Sequence, residues 1–107
     1  MTMIYSQAID DYVRRLVERF RPRAVMLFGS QAKGIATGES DVDLLVIMDH
    51  DKQRNVEQEI EIDCSLERSF PLDILVHRTE EFKQRLQSGD MALKTMVENG
   101  IFLYGQP

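Results

Sequence analysis

The sequence predicts a small domain of the α/β class, more narrowly α+β, in which helices cover a small mixed β-sheet. Some segments carry apolar residues at helical spacing, others are short apolar runs, and the two kinds alternate along the chain. The chain has 107 residues, 43% of them hydrophobic, which suits one core. We therefore expect residues 1–107 to form a single domain.

Most of the chain is accounted for by two predicted helices and three predicted strands. Apolar side chains at helical spacing predict a helix over residues 6–20 and another over residues 55–69. Short apolar runs predict strands at residues 23–28, 41–48 and 72–76. The second run is mostly apolar, which favours a strand covered on both faces. About twenty residues join the second and third strands, and that length permits a crossover between parallel neighbours.

The remaining C-terminal segment predicts two more helices and a short strand. Thr79 is a suitable N-cap for the first of these helices. The second should start near Asp90 and end at Gly100, and residues 101–104 predict the final strand.

Composition excludes several classes of protein. The formal net charge of -5 argues against general binding to nucleic-acid backbone, which needs a basic face. No apolar run approaches the roughly 20 residues that a membrane helix needs, and the N-terminus does not resemble a signal peptide, so we expect a cytoplasmic protein. Cys64 is the single cysteine, which excludes a disulfide framework and a cysteine-based zinc site. We interpret it as a structural thiol.

Three carboxylates stand out in the predicted strands. Asp41 and Asp43 enter the second strand two residues apart, so their side chains share a face. Asp73 interrupts the otherwise apolar third strand. If these strands are neighbours, all three carboxylates meet at one end of the sheet.

Such a cluster needs a counter-ion or a bound proton. Two like charges about 4 Å apart repel by roughly 4 kcal/mol at an effective dielectric constant near 20. Carboxylate oxygens suit Mg²⁺ or Mn²⁺, and Mg²⁺ is commonly shared between carboxylates and substrate phosphates. Two such ions would activate an attacking hydroxyl and stabilise a leaving pyrophosphate. Asp41, Asp43 and Asp73 are therefore the predicted metal ligands and catalytic residues.

The turn after the first strand predicts a phosphate-binding loop. Gly29 has no side chain, so a phosphate can approach the backbone there. The Ser30 hydroxyl and the amides that follow it can donate to phosphate oxygens, and a short helix expected at residues 31–35 would direct its N-terminal amides at the same anion. Lys33 is a further, weaker candidate contact.

Each feature alone has an ordinary structural explanation. A Gly-Ser turn is common, an Asp-x-Asp pair is often solvated, and Asp73 could mark the polar face of an edge strand. Their combination in this order favours a functional site. His77 would share the strand face of Asp73, but an ordinary strand-end histidine is the favoured interpretation. The alternating acids from Glu57 to Asp63 match no single helix face and are expected to be solvated.

These residues resemble a known signature. Residues 28–34, Phe-Gly-Ser-Gln-Ala-Lys-Gly, followed by residues 40–46, Ser-Asp-Val-Asp-Leu-Leu-Val, are similar to the motif of the DNA polymerase beta-type nucleotidyltransferases. More narrowly, they resemble the minimal nucleotidyltransferases, short antitoxins paired with HEPN-domain ribonuclease toxins. The resemblance covers nearly the whole chain. Gln31 stands where many members have Arg or Tyr, so it implies no cationic contact at that position.

The resemblance implies an activity and a partner. Gly29 and Ser30 would hold the triphosphate, Asp41 and Asp43 would bind two Mg²⁺ ions, and Asp73 would complete the set as the carboxylate nearest the attacking hydroxyl. The implied reaction transfers AMP from ATP to a tyrosine hydroxyl of the cognate HEPN toxin, within a hetero-oligomer.

Two other functions remain open. The enzyme could act on a small-molecule hydroxyl, although 107 residues leave no second domain for such a pocket. The protein could also be an antitoxin that neutralises its toxin by binding alone, although a complete carboxylate set without a metal would bring only repulsion. Template-dependent polymerisation is disfavoured because no basic nucleic-acid surface is evident.

Overall fold

The computed structural model describes residues 6–29 and 41–106. In these ranges helices and strands are interspersed along the chain. In chain order they are α1 (Ser6–Phe20), β1 (Ala24–Phe28), β2 (Val42–Ile47), α2 (Asn55–Ser65), β3 (Leu72–His77), α3 (Thr79–Gln87), α4 (Met91–Asn99) and β4 (Ile101–Gly105). The short helix predicted at residues 31–35 lies outside the described residues.

The four strands form one mixed sheet in the order β3-β2-β1-β4. β1 pairs antiparallel with β2 and with β4, whereas β2 and β3 are parallel. Helix α2 makes the crossover between the two parallel strands, which confirms the connection that the length of this link permits. The fold is thus a mixed sheet with helical cover, as predicted.

The core has two layers because the side chains of each strand alternate between the two faces of the sheet. On one face, strand residues such as Val25 and Leu44 pack with α1 and with Ile62 of α2. On the other face, Met26 and Leu45 pack with the two C-terminal helices. Strand β2 is buried through both of its faces, which explains its nearly continuous apolar run.

Helix α2 corrects two sequence-based predictions. It ends at Ser65, not near residue 69, because the backbone of Leu66 is extended and this side chain turns into the core. The apolar stripe by which the sequence predicted this helix, formed by Val56, Ile60 and Cys64, faces solvent, and Val56 and Ile60 are 43% and 55% exposed. The residues that α2 buries lie on another stripe, so Cys64 is an exposed thiol and not a structural one.

The entry into α3 is also corrected. Arg78 is the N-cap, and Thr79 is the first residue of the helix. Thr79 is buried, and its backbone N–H and its hydroxyl both donate to the carboxylate of Asp49. The predicted cap of α4 is confirmed, because Asp90 accepts a hydrogen bond of 3.0 Å from the backbone N–H of Leu93. None of the helices in the described ranges is long and apolar enough to span a membrane.

Candidate active site at the start of strands β2 and β3

The parallel register of β2 and β3 brings two of the predicted carboxylates side by side. Asp43 pairs directly with Asp73, and neighbouring strands lie about 4.8 Å apart. Both side chains are on the face that α3 and α4 cover further along the sheet. Asp43 is half-buried and Asp73 is exposed. Asp41 immediately precedes β2 and is also exposed.

The three carboxylates interact electrostatically. Burial raises the pKa of Asp43 above its usual value, and the negative charges of Asp73 and then Asp41 raise it further. The ionised form of Asp43 is therefore disfavoured unless positive charge approaches. The strands thus place Asp43 beside Asp73, and Asp41 is near enough to contribute to the pKa shift of Asp43.

The chemistry of these residues fits a divalent cation. They offer only carboxylate oxygens, the ligand type that Mg²⁺ and Mn²⁺ prefer. Within residues 6–29 and 41–106, however, no three His, Cys, Asp or Glu side chains are already gathered into a ligand set.

Gly29 lies against this cluster at the end of β1. Its backbone has φ +76°, a conformation that favours glycine. A Cβ atom built at Gly29 would collide with Oδ2 of Asp43, whose residue pairs with Phe28 across the sheet. The sequence analysis predicted this glycine for close phosphate approach. The structure adds a second requirement, since only glycine leaves room for the Asp43 carboxylate.

The other predicted phosphate contacts, Ser30 and Lys33, lie outside the described residues, as does Gln31. The phosphate-binding half of the site therefore stays a prediction. On the described side of the turn, Gly29 borders a small cavity with Phe28 and residues of α4.

His77 does not belong to the carboxylate cluster. It shares the strand face of Asp73 but lies four residues further along β3, which is about 13 Å at 3.3 Å per residue. It is 8% exposed, its Nε2 lies 3.2 Å from Nη1 of Arg85, and burial lowers its pKa. Its Nδ1 is buried with no hydrogen-bond partner. This confirms the interpretation of His77 as a strand-end histidine.

Glu59 is a residue whose position the sequence analysis missed. It was expected to be solvated with the alternating acids of α2, but it is only partly exposed. Its carboxylate accepts a hydrogen bond of 2.9 Å from the backbone N–H of Val76. No local signal could reveal this contact, because it joins side chain and strand across 17 residues of chain.

A polar network occupies the opposite end of β2 and β3. The Asn55 side chain donates to the carboxylate of Glu81 at 2.7 Å and lies 2.8 Å from Nε2 of His50. Glu81 also accepts from the backbone N–H of Arg78, and the Arg78 guanidinium donates to Asn55 and to the backbone carbonyl of Lys52. Hydrogen bonds from Asn55 and Arg78 lower the pKa of Glu81 against the opposing effect of its burial.

The family of the protein follows from its sequence match. A family model described as polymerase beta, nucleotidyltransferase, matches residues 11–106. The chain belongs to this family. The carboxylate pair Asp43–Asp73 lies within the residues that the nucleotidyltransferase family model matches.

A curated relative of this nucleotidyltransferase is a candidate protein adenylyltransferase of Methanocaldococcus jannaschii. The two are 43% identical over 48 residues, which make up 43% of this chain and 48% of the relative. The match therefore spans about half the length of that protein.

Solved structures share the fold of the nucleotidyltransferase. A candidate nucleotidyltransferase of Sulfolobus solfataricus superposes with a TM-score of 0.64 at 21% identity, over 94% of this chain and 79% of that one. A toxin–antitoxin structure with AMP-PNP superposes with a TM-score of 0.55 at 22% identity. A mutant MntA–HpeT toxin–antitoxin structure gives 0.55 at 19% identity. Both of these superpositions cover 91% of this chain and 73% of the other, and they confirm the predicted fold class.

Proposed function

We propose that this nucleotidyltransferase transfers AMP from ATP to a tyrosine hydroxyl of a cognate HEPN ribonuclease toxin, and so acts as a cytoplasmic antitoxin. The observation that carries the proposal is the in-register pair Asp43–Asp73 next to Gly29. The name of the M. jannaschii relative, a candidate protein adenylyltransferase, supports transfer of AMP to a protein. A toxin–antitoxin structure with AMP-PNP supports a nucleotide-using antitoxin on this fold.

Each site residue has a role in this proposal. Asp41, Asp43 and Asp73 would hold two Mg²⁺ ions, for which Mn²⁺ could substitute. Bound there, the ions would supply positive charge to the triphosphate and to the oxygen that attacks it. Asp73 is the exposed member of the strand pair, so it is the carboxylate placed to accept the proton of the acceptor hydroxyl.

The phosphate side of the site is assigned to the turn after β1. Gly29 leaves the Asp43 carboxylate unobstructed and exposes its own backbone to the phosphates. The Ser30 hydroxyl and the Lys33 ammonium would hold the triphosphate in line with the acceptor oxygen, a positioning effect that lowers the barrier to transfer.

A small-molecule acceptor is less well supported. In the described part of the chain, the groove that Asp73 borders has a volume of about 210 Å³. Sites for small ligands usually enclose roughly 300–1,000 Å³. A groove of this size can receive side chains of a peptide segment, and the rest of the acceptor surface would then come from the partner.

An antitoxin that acts by binding alone would not need the Asp43–Asp73 pair. Burial and the negative charges of Asp73 and Asp41 raise the pKa of Asp43, which is a cost to the folded protein when this carboxylate is ionised. A surface that only contacts the toxin gains nothing from clustered carboxylates. Binding of Mg²⁺–ATP would offset their free-energy cost.

The test combines the purified toxin with the protein, ATP and Mg²⁺, followed by intact mass measurement and a ribonuclease assay of the toxin. We expect AMP-sized mass increments on the toxin, and inactivity that persists after the enzyme is removed. The matched control is the Asp41→Asn/Asp43→Asn double variant. If this variant protects RNA as well as wild type does and the toxin carries no adduct, the protein acts by binding alone.

Metal dependence has its own test. Calorimetric titration of ATP should show weak binding in chelator and measurable binding with Mg²⁺ or Mn²⁺, because a triphosphate cannot approach three carboxylates without intervening cations. Equal affinity in the two conditions would contradict the assignment of these residues as metal ligands.

A further inference from the structure

β3 forms one edge of the sheet, and its hydrogen bonds show which of its backbone groups point outward. Pro71 and His77 accept from the backbone N–H groups of Val42 and Met48 of the β2 segment, at 2.9 and 3.0 Å. In a parallel pair, bonding to the neighbour alternates along the strand, so the odd-numbered residues of β3 face β2. The N–H and C=O groups of Leu72, Ile74 and Val76 therefore point to the free edge.

The free edge is closed at one position and open at the next. Glu59 accepts the outward N–H of Val76, which blocks this part of the edge. Among the described residues, the outward N–H and C=O groups of Ile74 have no hydrogen-bond partner. Ile74 is the residue next to Asp73, so the open part of the edge adjoins the candidate active site.

A groove beside this open edge combines acidic and apolar side chains. Its lining residues are Glu59, Ile60, Asp63, Leu72, Asp73 and Ile74. None of them is basic, and Asp63 is paired with Arg68 at 2.6 Å. Ile60 is 55% exposed on the wall that α2 contributes. The groove complements a segment that carries both a positive charge and an apolar side chain, and it is unsuited to a nucleic-acid backbone.

We propose that the acceptor segment of the protein partner binds in extended form as an added strand along the free edge of β3 at Ile74. This inference rests on the proposed function and adds how the acceptor is held. Strand addition supplies affinity through main-chain hydrogen bonds, and alternate side chains supply specificity.

The alternation of an added strand matches the two faces of β3. Its side chains point in turn to the face of Asp73 and to the face of the groove. The hydroxyl-bearing residue occupies the Asp73 face. Its two neighbours in sequence then enter the groove, one basic beside Glu59 and one apolar against Ile60.

Binding can be tested without ATP, using hydrogen exchange of backbone amides followed by NMR. The probe is a nine-residue synthetic peptide with a central tyrosine flanked by Lys on one side and Leu on the other. We expect exchange of the Ile74 amide to slow by about tenfold or more when the peptide is bound. The same peptide N-methylated at alternate residues to block edge pairing should not slow it. Equal binding of both peptides, unchanged exchange at Ile74, or no binding at about 1 mM peptide would overturn the inference.

A pair of variants tests the groove in the transfer reaction itself. Ile60→Asp places a charge inside the groove, and Val56→Asp places the same charge one turn away on the same exposed stripe of α2. We expect Ile60→Asp to lower kcat/KM for the toxin about tenfold and Val56→Asp to leave it unchanged, with ATP affinity preserved in both. Equal effects of the two variants would overturn the inference.

The two experiments separate this inference from the proposed function. Protection of Ile74 by the peptide, with no AMP transfer to any toxin, would retain the docking edge and remove the proposed reaction. AMP transfer that is insensitive to Ile60→Asp, with no protection of Ile74, would retain the reaction and remove the docking edge.

Discussion

The two ends of the parallel pair β2–β3 differ in how their charges are satisfied. At the start of the strands, Asp43 and Asp73 face each other, and no basic side chain of the described residues forms an ion pair with either. At the other end, Glu81 and Arg78 lie in a network with Asn55. Within one small sheet, the carboxylates thus lack ion-pair partners at one end, whereas the polar groups at the other end are hydrogen-bonded to one another.

Under the proposed function, the two ends divide stability and activity between them. The hydrogen-bonded end attaches the start of α3 to the α2 entry and so stabilises the fold. The carboxylate end costs stability, and the cation and nucleotide of the proposed function would offset this cost. Substitutions at the two ends should therefore have opposite effects on stability and on activity.

The largest expected effect is at the carboxylate end. Asp41→Asn/Asp43→Asn should reduce AMP transfer by roughly a thousandfold or more, a loss of about 4 kcal/mol of transition-state stabilisation. In chelator its Tm should equal or exceed that of wild type, because the substitution removes mutual repulsion. Activity assays and thermal melts check both statements. A large fall in Tm would show that these carboxylates hold the fold together.

The converse substitution is Arg78→Ala at the hydrogen-bonded end of β2 and β3. It removes the guanidinium bonds to Asn55 and to the Lys52 carbonyl, and it should lower the free energy of unfolding by about 2 kcal/mol. The kcat of the folded protein should change little. Urea unfolding with a parallel transfer assay tests this, and Glu80→Ala, at an exposed position of the same helix turn, is the control. Loss of kcat with unchanged stability would contradict the division between the two ends.

Gly29→Ala tests the carboxylate end sterically. The added Cβ meets Oδ2 of Asp43 in a left-handed backbone conformation, so we expect a loss of about 1–2 kcal/mol of stability together with reduced activity. Gly89→Ala is a matched control, since Gly89 has φ +84° but open space around it. A similar loss of activity in both variants would exclude the clash with Asp43 as the cause.

The smallest effect concerns pH at the bonded end. Burial lowers the folded-state pKa of His77, so below about 6.5, its usual value, the unfolded chain binds the proton more readily. Stability is therefore retained above this pH and falls as the pH drops through the window below it. His77→Gln should flatten the dependence of Tm on pH between about 7 and 5. An unchanged slope would show that His77 is not the titrating group.

The sequence predicted the strands and the carboxylates for local reasons. Alternation within a strand predicted that Asp41 and Asp43 share a face, although Asp41 immediately precedes β2 in the structure, and the apolar body of β2 requires cover on both sides. The direct pairing of Asp43 with Asp73 was not predictable, since link length permits a crossover without fixing its register. The buried stripe of α2 and the contact of Glu59 with Val76 depend on which side of the helix meets the sheet.

Packing of the core also determines the register in which β3 pairs with β2. Leu44 and Ile74 pack in the core layer of α1 and α2, one residue away from Asp43 and Asp73. A shift of β3 by one residue would carry Asp73 into that apolar layer and expel Ile74, at a large cost in burial. The hydrophobic core therefore disfavours a misaligned β3, and the folded protein has Asp43 beside Asp73. Insertions in the loop between Met48 and Asn55 should be tolerated far better than a single deletion inside β3.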